Sequence, residues 1–174
     1  MWAQLEHDPD ASAICIVHHK DMANQIQASA KKQYESLKRQ SILDQSKNNG
    51  VIVICNDWED AQECINYCAS EHLVLLSNKA HSLRKHIRHA GSIFCGPFTP
   101  VTLGDYYAGP NHVLPTTRSA RFASPLGVMD FMKYSSYLEY SKAQLESDAT
   151  DLNVLTKSEG FDGHYMAVDI RLNV

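Results

Sequence analysis

The chain has 174 residues, 44% of them hydrophobic, and a formal net charge of −4 with acidic and basic residues interspersed. That length fits one domain, or one domain with a short appendage, and the hydrophobic share supports a real core. The charge pattern lacks the clustered basic surface that a nucleic-acid partner requires, and no apolar stretch approaches the length needed to span a bilayer, so small polar molecules and a second subunit are the expected partners.

The cysteines at 15, 55, 64, 68 and 95 form no CxxC pair. An odd count without framework spacing points to a reducing compartment. The opening MWAQLEHDPD has neither the basic nor the apolar region of a secretory signal, and a cytoplasmic location is the expectation.

In chain order, residues 13–17 are a short apolar run rich in β-branched side chains and predict a strand. Residues 20–38 carry apolar side chains at helical spacing (Met22, Ala23, Ile26, Ala30, Tyr34, Leu37). The turn signal Asn48-Asn49-Gly50 precedes a second predicted strand over 51–55. Asp57 is an N-cap candidate for a helix over 58–68. A third strand is expected over 73–76, a basic helix over 80–89 ending at Gly91, and a fourth strand over 92–95. Alternating strands and helices are the rhythm of a parallel sheet, and continuously apolar strands are what a sheet covered on both faces needs. The expected fold is therefore α/β, a three-layer Rossmann-like parallel sheet with helices on both faces, occupying residues 1–126.

The pattern breaks at Gly96. Residues 97–125 are rich in Pro, Gly, Thr and Asn and predict an ordered active-site loop, with Phe98, Tyr106, Tyr107, Val113, Leu114 and Phe122 available for burial. Helices are expected over 128–134 and 142–158. The tail 161–172 alternates apolar residues and reads as a strand or a docked arm. Residues 127–174 together form an expected C-terminal helical arm.

Four stretches combine ionisable side chains with sharp local context. Gln4 and His7 would lie one turn apart on a helix, where an amide oxygen and an imidazole can share a metal; a polar surface turn is the plainer reading. Glu71-His72 sets a carboxylate beside an imidazole at a strand mouth, suited to general-base work and water activation; a histidine at a helix C-terminus, stabilised by the dipole, is the alternative. In Leu103–Thr116, glycines permit close backbone approach and prolines stiffen the chain around Asp105 and His112. Asp105 and Asn111 can also simply bond their own backbone there. Glu159-Gly160-Phe161-Asp162-Gly163-His164 places an acid and an imidazole between glycines. The basic run His81, Arg84, Lys85, His86, Arg88, His89 is most simply a solvated face.

Together these stretches resemble histidinol dehydrogenases. The matching segments are AQLEHDPDA, SEHLVL, AGSIFCGPFTPVTLGDYYAGPNHVLPT, SARF and EGFDGHYMAVDIR, in the family's order and over nearly the whole chain. The resemblance implies an NAD-dependent two-step oxidation of L-histidinol to L-histidine through histidinal. It implies that Gln4, His7, Asp105 and His164 bind zinc and that Glu71 and His72 are the catalytic pair. His72, Asp105, His112, Glu159 and His164 would contact the substrate, with His164 arriving from the tail of the second subunit of an intertwined homodimer. One departure is Ser70, where the family's motif has proline before Glu-His-Leu; the turn there should be looser. A larger one is the family's N-terminal half, which holds the NAD-binding domain and is lacking here; a separate N-terminal piece is a possible partner. No GxGxxG occurs among the eight glycines, and no loop resembles a phosphate cradle. Two further readings are a catalytically inactive fragment that binds zinc and histidinol, and a free-standing zinc hydrolase using Glu71 and His72.

Overall fold

A computed structural model describes residues 1–173. The fold is α/β, with parallel strands and helices, and the chain divides into two compact units, Met1–Asp130 and the segment from Phe131 onward. No described helix is long and apolar enough to cross a membrane.

The first unit opens with α1 (Trp2–Leu5), β1 (Ala13–Val17), α2 (Lys20–Tyr34), α3 (Gln40–Ser46) and β2 (Gly50–Ile54). It continues with α4 (Trp58–Cys68), β3 (His72–Leu75), α5 (Ala80–Leu83), β4 (Ser92–Cys95) and α6 (Val101–Tyr106). The four expected strands form, each within a residue of its predicted bounds. They pair in parallel as β1 with β2, in register Ala13↔Gly50 to Val17↔Ile54, and β3 with β4, in register His72↔Ser92 to Leu75↔Cys95. Among the described residues these are two separate two-stranded ladders, not one four-stranded sheet.

The apolar strands are also less covered than their composition predicts. Side chains alternate across a strand, so one face of each ladder can pack while the other does not. Leu75 is buried with Ile65 of α4 and Ala80 and Leu83 of α5, and Leu73, Cys95 and Ile16 pack around that cluster. Ile14 and Val51, partners in the β1–β2 ladder, remain 49% and 47% exposed.

Several helices differ from expectation for local reasons. The basic run over 80–89 holds only one α-turn, α5, followed by a 3-10 turn at Arg84–His86. Adjacent like charges and the side chain of Asn66 account for the break. The Asn66 carboxamide accepts from the backbone N–H of Arg88 (2.7 Å) and donates to the His86 carbonyl (3.1 Å), drawing that backbone away from helix geometry. Residues 40–46, outside every predicted element, form α3, whose Leu43 is fully buried. α1 is anchored at both ends. The Trp2 indole N–H donates to the Ala30 carbonyl of α2 (2.9 Å), and the buried Ser46 hydroxyl donates to the Leu5 carbonyl (2.6 Å).

Asp57 caps α4 as its sequence position implies: its carboxylate accepts from the backbone N–H groups of Glu59 and Asp60, both at 2.9 Å. Asp57→Ala should therefore destabilise the fold by about 1 kcal/mol, read as a lower urea midpoint with an unchanged slope. α4 ends at Ala69, a left-handed residue at φ 47°.

The stretch over 97–125 is not wholly irregular. Residues 101–106 form α6, and a 3-10 turn spans Ser119–Arg121. Of the six apolar side chains expected to be available for burial, Leu114 is half-buried; Phe98, Tyr106, Tyr107, Val113 and Phe122 are exposed. The segment is pinned by arginine instead. Arg118 and Arg121 both donate to the Tyr67 carbonyl near the end of α4 and stand over the Tyr67 ring, at 4.5 and 6.0 Å from its centroid. Cations there complement the helix C-terminal dipole.

The second unit contains α7 (Lys142–Glu159) and α8 (Asp162–Leu172), packed on each other. The tail read as a strand or arm is thus helical. Gly160, at φ 73°, ends α7 in the left-handed cap that glycine favours. The expected helix over 128–134 reduces to a 3-10 turn at Val128–Phe131.

Candidate active site

Glu71 and His72 stand at the amino end of β3, since His72 is its first residue. Ligands of open parallel sheets usually sit at the carboxyl ends, so this pair occupies the opposite rim. Its position is set by backbone pairing. The Glu71 carbonyl accepts from Ser92 N–H and the Ser70 carbonyl from Gly91 N–H, both at 2.9 Å. Gly91 is needed for this approach: a Cβ there would lie 2.6 Å from the Glu71 carbonyl oxygen and 3.2 Å from Pro115 Cδ. Pro115 is buried, so the 97–125 segment is held directly against the Glu71 backbone.

Across the β3–β4 ladder, His72 and Phe94 lie on one face, their ring centroids 5.9 Å apart. α6 crosses that face at Gly104, where an added Cβ would stand 2.6 and 2.8 Å from Phe94 Cε1 and Cζ. This contact brings the next residue, Asp105, to His72: its Oδ1 is 3.4 Å from His72 Nε2. The two side chains are 15% and 22% exposed. Neither ring nitrogen of His72 has a hydrogen-bond partner, although both are buried. Buried polar atoms are normally satisfied, and an orphaned one signals a missing ligand, a catalytic role or stored strain.

Other residues singled out in the sequence are placed as follows. Gln4 lies in α1 and is half-buried; His7 lies beyond the helix end, exposed, its backbone N–H bonded to the Gln4 carbonyl (3.3 Å). The helical spacing expected for this pair is thus replaced by a turn that keeps both in one short segment. His112 is exposed in the bend after Pro110, where the Asn111 carboxamide accepts from Val113 N–H (2.8 Å), the local turn that an Asn at this place can make. Glu159 and His164 belong to the second unit, both exposed, with His164 stacked on Phe161 at 5.0 Å. His72 and Asp105 are the pair this chain brings together. Among the described residues no three His, Cys, Asp or Glu side chains gather as a metal-holding group.

The donor types nonetheless suit zinc: an amide oxygen, imidazoles and a carboxylate are the hard and borderline ligands it takes. Among the described residues the positive-φ glycines at 96, 109 and 160 stand singly.

Sequence reasoning missed two positioning residues, Gly104 and Phe94. The signal available was a glycine directly before an ionisable residue in a stretch later found helical, where glycine otherwise costs stability.

The chain is similar to known proteins over nearly its whole length. The histidinol dehydrogenase family model matches residues 1–172. The histidinol dehydrogenase of Heliobacterium mobile is 42% identical over 171 residues, covering 98% of this chain and 40% of that protein. That of Streptococcus mutans is 42% identical over 170 residues, with 97% and 40% covered. The crystal structure of histidinol dehydrogenase from Elizabethkingia anophelis superposes with a TM-score of 0.93 at 27% identity, over 98% of this chain and 40% of its own. The chain spans about 40% of the length of the curated relatives it matches. It belongs to the histidinol dehydrogenase family.

Proposed function

We propose that this chain supplies the metal-binding and proton-transfer half of an NAD-dependent histidinol dehydrogenase, which oxidises L-histidinol to L-histidine through histidinal. The observation that carries the reading is His72, an imidazole with two buried, unbonded nitrogens facing a carboxylate at 3.4 Å. An unencumbered imidazole of this kind can accept a proton, and the carboxylate stabilises the imidazolium that results.

Gln4, His7, Asp105 and His164 would hold zinc, His164 coming from the tail of a second copy in an intertwined homodimer. When bound, zinc supplies Lewis acidity and a template for the amine and imidazole of histidinol. His72 takes the carbinol proton on Nε2, the nitrogen that faces Asp105. Glu71, held by the β3–β4 backbone pairing, activates the water that attacks the aldehyde. His112 and Glu159 contact the substrate, as do the zinc-holding Asp105 and His164. No residue here is assigned to NAD, whose binding would fall to a separate N-terminal half. The joining of the two ladders over 1–126 into one three-layer Rossmann-like sheet in the assembled enzyme, and the dimerising arm over 127–174, belong to the same proposal. So does a cytoplasmic setting, which suits five unpaired cysteines.

The test is NADH formation from L-histidinol and NAD, with this chain alone and with the N-terminal half of a relative added. Activity is expected only in the mixture, abolished by chelation and restored by zinc. Activity absent from both, with zinc and histidinol still bound, would favour an inactive binding fragment.

A further inference from the structure

Beyond Pro115 the chain turns sharply at residues 116–119, where the Ser119 N–H and hydroxyl both donate to the Thr116 carbonyl, at 3.0 and 2.6 Å. Both central residues of the turn are left-handed, Thr117 at φ 53° and Arg118 at φ 64°. A turn with positive φ at both central positions favours Asn and Gly, and a β-branched residue there is an outlier. Backbone strain of this kind persists only where the surroundings hold it.

The side chain of Arg118 supplies that hold. Its Nη2 donates to the Tyr67 carbonyl (2.8 Å), and its guanidinium stands 4.5 Å from the Tyr67 ring centroid. The Arg121 guanidinium donates to the same carbonyl and stands over the same ring. Tyr67 lies in the last turn of α4, where helix carbonyls have no partner in their own helix. Among the described residues neither guanidinium has a carboxylate within ion-pair distance. Two cations thus converge on one carbonyl, from a turn that glycine or asparagine would form with less strain.

We propose that Arg118 and Arg121 are positioning residues: they latch the limb that carries His112 against α4 and so fix it for the substrate. This rests on the substrate contact proposed above for His112. Three ties hold residues 112–116. The Val113 carbonyl accepts from the Leu126 N–H (2.9 Å), which joins the limb only to the continuation of its own segment. Pro115 lies against Gly91 and fixes the limb to the β3–β4 ladder at one point. The arginine latch is the second point on the body of the unit, and two points are needed to set a direction. The end of α4 also leads through Ala69 to Glu71, so one helix terminus orients both Glu71 and the His112 limb. A limb that places a binding contact acts alike on ground state and transition state, so loosening it raises KM and spares kcat.

Arg118→Gly separates this role from a purely structural one. Glycine suits the left-handed backbone better, so without a latch the variant would be as stable as the parent or more so, with KM unchanged. With the latch, KM for L-histidinol rises roughly tenfold, the share of one charge-assisted hydrogen bond, and kcat is unchanged. Steady-state NADH formation is read in the mixture with the N-terminal half of a relative. Arg121→Ala should act in the same direction, and Arg118→Lys, which keeps the charge and a donor, should recover part of the loss. Hydrogen exchange of this chain alone, without NAD or histidinol, should be faster over 111–116 in Arg118→Gly than in the parent. Unchanged KM or unchanged exchange would overturn the latch, and so would a lower kcat at the parent's KM. A parent mixture that forms no NADH would sink the functional reading instead, and the exchange measurement would then judge the latch by itself.

Discussion

Replacing His72 with glutamine is expected to lower kcat for histidinol oxidation in the assembled enzyme by roughly 10²–10⁴-fold, the usual contribution of a positioned general base. Glutamine keeps a polar side chain of similar reach but cannot take a proton near neutral pH. The loss should be larger than structural disturbance can explain, because neither ring nitrogen carries a hydrogen bond whose removal would loosen the fold. Steady-state NADH formation measures the effect, and a melting curve of the variant checks that the fold persists. A kcat within about tenfold of the parent would remove His72 from proton transfer. Glu71→Gln gives a contrasting outcome. The first oxidation should proceed and the second should slow, so that histidinal is released, trapped by a carbonyl reagent.

Gly104→Ala should be strongly disruptive for a single methyl group. The new Cβ would sit 2.6 and 2.8 Å from the Phe94 ring, which is buried and flanked by His72. The ring cannot swing aside without moving His72, and α6 cannot retreat without carrying Asp105 away. Overpacking of this kind costs roughly 1–3 kcal/mol, measured as a lower urea midpoint. The same variant should also bind zinc more weakly, because Asp105 is the adjacent residue. The comparison is Gly163→Ala on α8, where a Cβ meets nothing within 4 Å. Alanine is favoured over glycine inside a helix by up to about 1 kcal/mol, so that variant should be neutral or more stable. Equal midpoints for the two would show that the α6–Phe94 approach is not tight.

These contacts also mark where the sequence was legible. Strand runs and the Asp57 cap are local signals, written within a few neighbouring residues, and the structure carries them as read. The pairing into two ladders is not local: β1 and β2 are joined through 13–17 and 50–54, far apart in the chain. Periodicity cannot tell a strand covered on both faces from one whose second face is bare, which is why Ile14 and Val51 were expected inside. The basic run 80–89 has helical composition, but a single carboxamide, Asn66, reaches across from α4 and redirects its backbone. At the site, the ionisable residues were visible by type and company. What placed His72 beside Asp105 was the absence of a side chain at Gly104; the glycine signals that a close approach is allowed, but not which ring it admits. The tail 161–172 alternates apolar residues every second position, yet α8 forms because the left-handed Gly160 turns the chain back along α7.

Ala69 sits at a corner where most chains would use glycine. Its left-handed backbone, φ 47°, costs an L-residue on the order of 1 kcal/mol relative to glycine. Its methyl is 1% exposed, so burial returns part of that penalty. Alanine also narrows the wandering of the unfolded chain at this bend, which glycine would widen. The burial that holds Ala69 in this conformation, two residues ahead of Glu71, thereby also sets the direction in which the Glu71-His72 strand leaves the helix.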